Sequence, residues 1–272
     1  MKSHTVTGGG GARLNVVETG KPNGRPILFI HGFSQCSLAW NRQLNSDLAD
    51  NYRLLAMDMR GHGLSDKPQA GYDDSTLWAD DVNAVIQQLG LDGVILCGWS
   101  YGPLVILDYI RHYREERIGG LIFVGGITKL GSDEAMSVIT PEFLGLAPAL
   151  FSADAEESAG GLKSLLRMCF AHELSSEDRD FMLGYNVSVP SSVRQALFSR
   201  LFDNDDLLPT IRKPMLIVHG LEDAVVKLDV IDRQLGDVTH AQVEKMANAG
   251  HAPFWDDAAG FNQRLRKFFE SV

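Results

Sequence analysis

Three cysteines in 272 residues, Cys36, Cys97 and Cys169, are too few and too widely spaced for a disulfide framework, and no CxxC pair points to structural zinc. Such usage suits a reducing compartment. Basic charge is also scarce: 25 Lys and Arg stand against 35 Asp and Glu, a formal net charge of −10 with no run of cations. A nucleic-acid backbone is gripped by Lys and Arg in excess, so no nucleic-acid partner is expected. Long apolar runs are missing as well. The opening MKSHTVTGGGGARLNVVETG has no apolar core of leader length, and no later segment could span a bilayer. Neither internal repeats nor low-complexity tracts occur. These absences make a soluble, cytoplasmic protein with no membrane partner the expectation, and the length suits one domain with an insertion better than two equal domains.

What is present is a series of short runs that are apolar throughout: PILFI at 26–30, RLLAM at 53–57, GVILC at 93–97, GLIFV at 120–124 and PMLIV at 214–218. Strands covered on both faces read this way, as in a parallel sheet clothed by helices. Residues 76–89 place Leu77, Val82, Val85, Ile86 and Leu89 on one helical face, and residues 256–269 do the same with Phe261, Leu265, Phe268 and Phe269. Strands alternating with helices predict an α/β fold with a doubly wound, mostly parallel sheet. The opening residues, with their Gly8–Gly11 run, read as a hairpin edge. The alternation fails between 128 and 208, a stretch without strand pattern and broken at Pro141, Pro148, Gly160, Gly161 and Pro190. Structureless loops of that length are rare, so an inserted helical cap is expected there, with 1–127 and 209–272 forming the core.

The run GVILC leads into Gly98-Trp99-Ser100-Tyr101-Gly102, and the following PLVILDYIRHY is apolar nearly all round, as a central helix would be. Pro103 suits the first turn of that helix. A strand turning this sharply into a helix presents Ser100 at the apex of a strained turn, the G-x-S-x-G elbow of a nucleophilic serine. A serine hydroxyl needs a base within hydrogen-bond reach, and the base needs a carboxylate to orient it. In this setting the acid and then the histidine follow the serine along the chain. Of eight histidines, His251 lies in a glycine-flanked loop between the last strand-like stretch and the final helix. His240 lies where that strand begins and is expected to be structural or exposed. His112 and His172 are expected to face solvent. The acid is sought in HGLEDAVV, beyond the strand at 214–218, which offers Glu222 and Asp223. Asp58, at an earlier strand end, is expected to pin its loop together with Arg60 and neighbouring amides. Two backbone N–H groups are expected to hold an oxyanion: that of Tyr101, at the helix start, and that of Phe33, in the loop after ILFI.

Taken together these segments resemble the α/β-hydrolase superfamily over nearly the whole chain. IHGF at 30–33 is similar to its oxyanion loop and DMRGHGLSDKP at 58–68 to the loop after the next strand. GWSYG is similar to the elbow, HGLEDAVV at 219–226 to the acid loop and AGHAPFWDD at 249–257 to the histidine loop. The spacing after Gly220 in that pattern selects Asp223 over Glu222. Within the superfamily the chain is most similar to serine carboxylesterase-like and non-haem peroxidase-like (perhydrolase) members with a helical cap. One departure is Lys227, which falls where relatives often carry a proline.

The resemblance implies a serine hydrolase that cleaves carboxylic esters, a small-molecule substrate, and a triad of Ser100, Asp223 and His251 requiring no metal or organic cofactor. A serine at the elbow sets aside epoxide hydrolases and haloalkane dehalogenases, which carry aspartate there. Lactonases, carbon–carbon bond hydrolases, perhydrolases and acyltransferases share the triad and stay open, as does a hydrolase-like small-molecule receptor. Trp99, Phe143, Phe170, Phe181 and Met182 are candidates for covering substrate, with packing against the sheet or within the cap as the alternative. DNDD at 203–206 lacks the Gly and distal Glu of a calcium loop and is expected to be a solvated turn.

Overall fold

The computed structural model describes residues 1–236 and 238–272. Eight strands form one sheet: β1 (Lys2–Thr7), β2 (Arg13–Gly20), β3 (Arg25–Ile30), β4 (Tyr52–Met57), β5 (Val94–Trp99), β6 (Ile118–Val124), β7 (Met215–Gly220) and β8 (Gln242–Met246). Their order is β1-β2-β4-β3-β5-β6-β7-β8. The β1–β2 hairpin and the β2–β4 pair are antiparallel, whereas β4, β3, β5, β6, β7 and β8 run parallel. Each uniformly apolar run lies within or overlaps a strand, because β3 to β7 are covered by helices on both faces. Every residue of β5 and β7 is buried.

The helix Ser75–Gln88 starts at Asp74, whose carboxylate accepts from the Thr76 amide and so satisfies one of the first-turn donors. It buries Trp78, Val82, Val85 and Ile86. The expected face is thus slightly rotated: Trp78 belongs to it, while Leu77 packs over the turn at Gly9 and Gly10. The helix Gly102–Tyr113 is buried from Gly102 to Ile110, as its all-round apolar sequence requires. The final helix, Ala258–Ser271, buries Phe261, Leu265, Phe268 and Phe269 as expected.

Between β6 and β7 lie six helices: Asp133–Met136, Pro141–Leu144, Ala147–Phe151, Ala155–Cys169, Ser176–Val187 and Ser191–Phe198. Side chains of Ser132, Thr140, Asp154 and Ser175 cap four of them, which explains how polar punctuation breaks this stretch into short helices. A bridge between Leu130 and Phe202 closes the base of the insertion. Below it, Arg200 pairs with Asp108 of the central helix at 2.8 Å, both side chains buried. The Asp203–Asp206 segment is a turn whose three aspartates are exposed, as expected; Asp206 also binds Arg111, Asp205 binds Lys129, and buried Asn204 donates to the Thr128 carbonyl. Among the described residues no helix is long and apolar enough to cross a membrane.

Candidate active site

The parallel order β3-β5-β6-β7-β8 brings the carboxyl ends of five strands to one rim, and the elbow, acid and histidine loops all leave from it. Ile30 is the register partner of Gly98, so the loop after β3 runs beside the elbow. Ser100 sits at the apex with φ 58°, a left-handed conformation that costs a non-glycine residue about 1–3 kcal/mol. Its amide donates to the Val124 carbonyl at 2.9 Å, and its carbonyl accepts from Ile127 at 3.2 Å, so neighbouring backbone holds the strained residue in place. The flanking glycines are forced by contact. A Cβ at Gly98 would lie 2.7 Å from the Gly102 carbonyl carbon, and one at Gly102 would lie 2.6 Å from the Ile30 oxygen. Pro103 enters the first turn, and the helix N-terminus points its partial positive charge at the elbow.

His251 and Asp223 meet as expected. His251 Nδ1 lies 2.8 Å from Asp223 Oδ2, with both side chains buried. The other carboxylate oxygen accepts from the Val225 and Val226 amides at 2.8 Å each, so the acid loop wraps its own carboxylate. Since an ionised carboxylate only accepts, Nδ1 carries the proton and Nε2 is left as the basic nitrogen. Nε2 has no hydrogen-bond partner among the described residues, and neither has the Ser100 hydroxyl; the two side chains line one cavity. Such contacts commonly close only when substrate is bound.

The Phe33 and Tyr101 amides likewise donate to no protein acceptor among the described residues. The first is aimed by His31, part of the IHGF loop, through contacts that its sequence does not signal. The Met59 amide donates to His31 Nε2 at 3.0 Å, which places the ring proton on Nδ1, and Nδ1 donates to the Gly32 carbonyl at 2.8 Å. That carbonyl and the Phe33 N–H belong to one trans peptide, so fixing the first fixes the second. Burial pushes His31 down to about 4 and keeps it neutral for this role. Asp58 pins the adjoining loops as expected, accepting from the Ser37 and Leu64 amides and from Asn15. Arg60 takes no part in that: its guanidinium forms a buried two-pronged pair with Asp81, at 2.7 Å on each oxygen.

Two adjoining cavities meet at Ser100 and share Phe33, Phe143 and Val225. One, with about 270 Å³ of empty space, is lined by Gly32, Gln35, Trp99, Leu165, Cys169 and His251. The other, about 370 Å³, is lined by Tyr101, Ile127, Leu130, Ile139, Phe198 and Val226. Trp99 and Phe143 therefore face the site. Phe170, Phe181 and Met182 do not line either cavity: Phe170 faces a separate surface depression, Phe181 is exposed and edges onto Tyr185, and Met182 is buried within the insertion. Met182 and Phe170 pack with the core instead, and Phe181 does not.

The insertion is also tied to the loops that carry Asp223 and His251. Asp256 Oδ2 accepts from Gly250 at 2.8 Å and from Ala171 at 3.1 Å, and the Ala252 amide donates to the Cys169 carbonyl at 2.9 Å. Lys227 donates through its amide to the Val138 carbonyl and through Nζ to the Ser137 carbonyl, 2.8 Å each.

The family model described as alpha/beta hydrolase fold matches residues 25–258, and the chain belongs to that family. The solved esterase RhEst1 from Rhodococcus sp. ECU1013 is 34% identical, with each chain covered over 100% of its length and a TM-score of 0.93. Among curated relatives, the AB hydrolase superfamily protein YisY of Bacillus subtilis is 27% identical, covering 92% of this chain and 93% of its own. Non-heme chloroperoxidase CPO-A1 of Kitasatospora aureofaciens is also 27% identical, over 90% of this chain and 92% of its own. These likenesses support a hydrolase of the esterase kind.

Proposed function

We propose that the protein is a serine esterase that cleaves carboxylic esters of small apolar acids through an acyl-enzyme on Ser100, His251 and Asp223. The observation that carries the reading is the convergence of a strained Ser100 with His251, itself held by Asp223, on one cavity rim beside two unengaged amides. Ser100 attacks the ester carbonyl while His251 Nε2 takes its proton, and Asp223 stabilises the imidazolium. The Phe33 and Tyr101 amides receive the oxyanion; one such donor is worth about 3–4 kcal/mol in the transition state. His251 then protonates the departing alkoxide and activates water to release the acid.

Because His251 must reach the leaving oxygen, the alcohol portion belongs in the cavity that His251 lines, with Gln35 and Leu165. The acyl portion then falls in the cavity of Ile127, Leu130, Ile139 and Phe198, whose aliphatic and aromatic walls favour a compact apolar acid. The helices between β6 and β7 act as a cap, since Phe143, Leu165 and Phe198 come from them. The likeness to a non-heme chloroperoxidase supports a second outcome at the same serine: hydrogen peroxide in place of water would release a peracid and regenerate the hydroxyl.

The test is labelling by a fluorophosphonate together with hydrolysis of p-nitrophenyl esters from acetate upward. Both should be present in the natural chain and absent in Ser100→Ala with unchanged circular dichroism. If no short acyl ester is turned over in a serine-dependent way, the fold serves as a small-molecule receptor and the reading falls.

A further inference from the structure

We propose that the Tyr101 side chain is a positioning group for substrate selection: its hydroxyl holds the Leu197 carbonyl and so fixes Phe198 as the wall that limits the length of the acid. The inference rests on the serine-esterase reading above and on its assignment of the acyl side. Tyr101 enters that reading through its backbone amide alone, which leaves a buried phenol without a task. The ring stands edge-on to Phe202, with centroids 6.1 Å apart, and tilted to Trp78 at 6.3 Å. Its hydroxyl donates to the Leu197 carbonyl at 3.2 Å and accepts from Arg200 Nη1 at 3.5 Å. Arginine only donates and a carbonyl only accepts, so the phenol proton points at Leu197. The guanidinium is fixed in turn. Its Nη2 donates to Asp108 Oδ2 at 2.8 Å, and its central carbon lies 4.1 Å from the Phe202 centroid and 4.9 Å from that of Trp78. One buried chain of bonds thus runs from Asp108 in the central helix through Arg200 and Tyr101 to Leu197.

Leu197 lies in the last turn of the helix Ser191–Phe198, where carbonyls run out of partners within the helix. Its carbonyl takes the Arg200 amide at 3.4 Å and, closer, the Tyr101 hydroxyl. That carbonyl and the Phe198 N–H share one planar peptide, so a bond to the first holds the second. The Phe198 ring lines the acyl cavity and meets Phe151, Phe143 and Phe33 at 5.5, 6.2 and 6.3 Å between centroids. Tyr101 lines the same cavity. The residue whose amide is assigned to the oxyanion therefore also carries the tie that fixes a wall of the acyl side. Without the hydroxyl, the helix end keeps a single long bond at this carbonyl, and the wall is able to retreat.

The experiment compares kcat/KM at pH 8 for p-nitrophenyl acetate, butyrate and hexanoate, and for acetates of several alcohols, in the natural chain and in Tyr101→Phe. At that pH Asp108 is ionised, since burial lifts its carboxyl only to about 6. The hexanoate-to-acetate ratio should rise about three- to tenfold in the variant, the worth of one net hydrogen bond. The change should fall on KM rather than kcat, with the ranking of alcohols kept. A uniform loss over all esters, an unmoved ratio, or a shift at both ends of the ester overturns the proposal. Should Tyr101→Phe fail to fold, Arg200→Lys decides by the same ratio, because it keeps a charge beside Asp108 but presents no second N–H to the phenol. Where no ester is turned over, ligand-observed NMR with free butyrate and hexanoate reads the same wall. Hexanoate should gain on butyrate in Tyr101→Phe; equal preference in both chains, or binding of neither acid, overturns the proposal. Failure of the esterase reading itself shows separately, as hydrolysis that survives Ser100→Ala.

Discussion

Trp99 donates its indole N–H to the backbone carbonyl of His251 at 2.8 Å, so the residue before the elbow serine holds the histidine loop directly. Its ring also meets Phe254 edge-on at 4.9 Å, and Phe254 stacks on Trp40 at 4.3 Å. Trp99→Phe would orphan the carbonyl and leave a smaller ring against Phe254 and His251. We expect a stability loss of about 1–3 kcal/mol by urea denaturation, with kcat falling more than KM rises. Natural stability and kcat in that variant would show the bond to be idle.

Asp223→Asn should fold, because its neighbours are unchanged in shape, yet it presents His251 with an amide in place of a charge. Turnover is expected to drop by about 10⁴-fold, the loss found in another serine triad for the same change. Steady-state hydrolysis of a p-nitrophenyl ester measures it, and near-natural rates would mean that a different acid serves.

The two cavities predict separable specificity. Phe198→Ala should extend the acyl side and shift preference toward longer or branched acids while leaving the ranking of alcohols unchanged. Leu165→Trp should fill the other side, raising KM for bulky alcohols with little effect on acyl preference. A matrix of esters varied at each end reads both, and a change that spreads equally to both ends would contradict the assignment of sides.

Acid stability should depend on two buried imidazoles. Burial pushes His31 down to about 4 and His62 to about 3, while in the unfolded chain both titrate near 6.5. Between those values the unfolded chain binds protons that the folded chain refuses, so this contribution to stability is full above 6.5 and declines as pH falls. By pH 5 the loss amounts to about 2 kcal/mol per imidazole. Asp108 acts in the opposite sense, since burial lifts its carboxyl to about 6 and the folded state takes up that proton first. Urea denaturation at pH 7 and pH 5 isolates one share: His62→Gln should lose about 2 kcal/mol less than the natural chain across that interval. Equal losses would mean that His62 is protonated in the fold.

Much of the architecture was legible because burial on both faces of a strand writes itself as an unbroken apolar run, as PILFI and PMLIV show in β3 and β7. Ser100 and His251 could be singled out as candidates for a different reason: each follows a strand end in chain order with glycines marking the turn, whereas the resemblance was needed to set Asp223 above Glu222. Residues that matter through contacts distant in sequence were not. Phe143 and Phe181 look alike in an amphipathic pattern, yet only the first turns toward Ser100. Arg60 finds Asp81, in the helix Ser75–Gln88, rather than nearby Asp58. His31 acts through ring nitrogens whose partners, the Gly32 carbonyl and the Met59 amide, are set by folding, and nothing local distinguishes it from a packed core histidine.

The bond pair at Asp256 has a further meaning. One carboxylate oxygen grips both the segment just beyond the helix Ala155–Cys169 and the turn that carries His251. Any sequence drift that reshapes the covering helices for a new guest is therefore felt by the chemistry beneath them. On the serine-esterase reading, breadth of substrate and speed of turnover would be mechanically linked through this carboxylate, and selection on one would drag the other along.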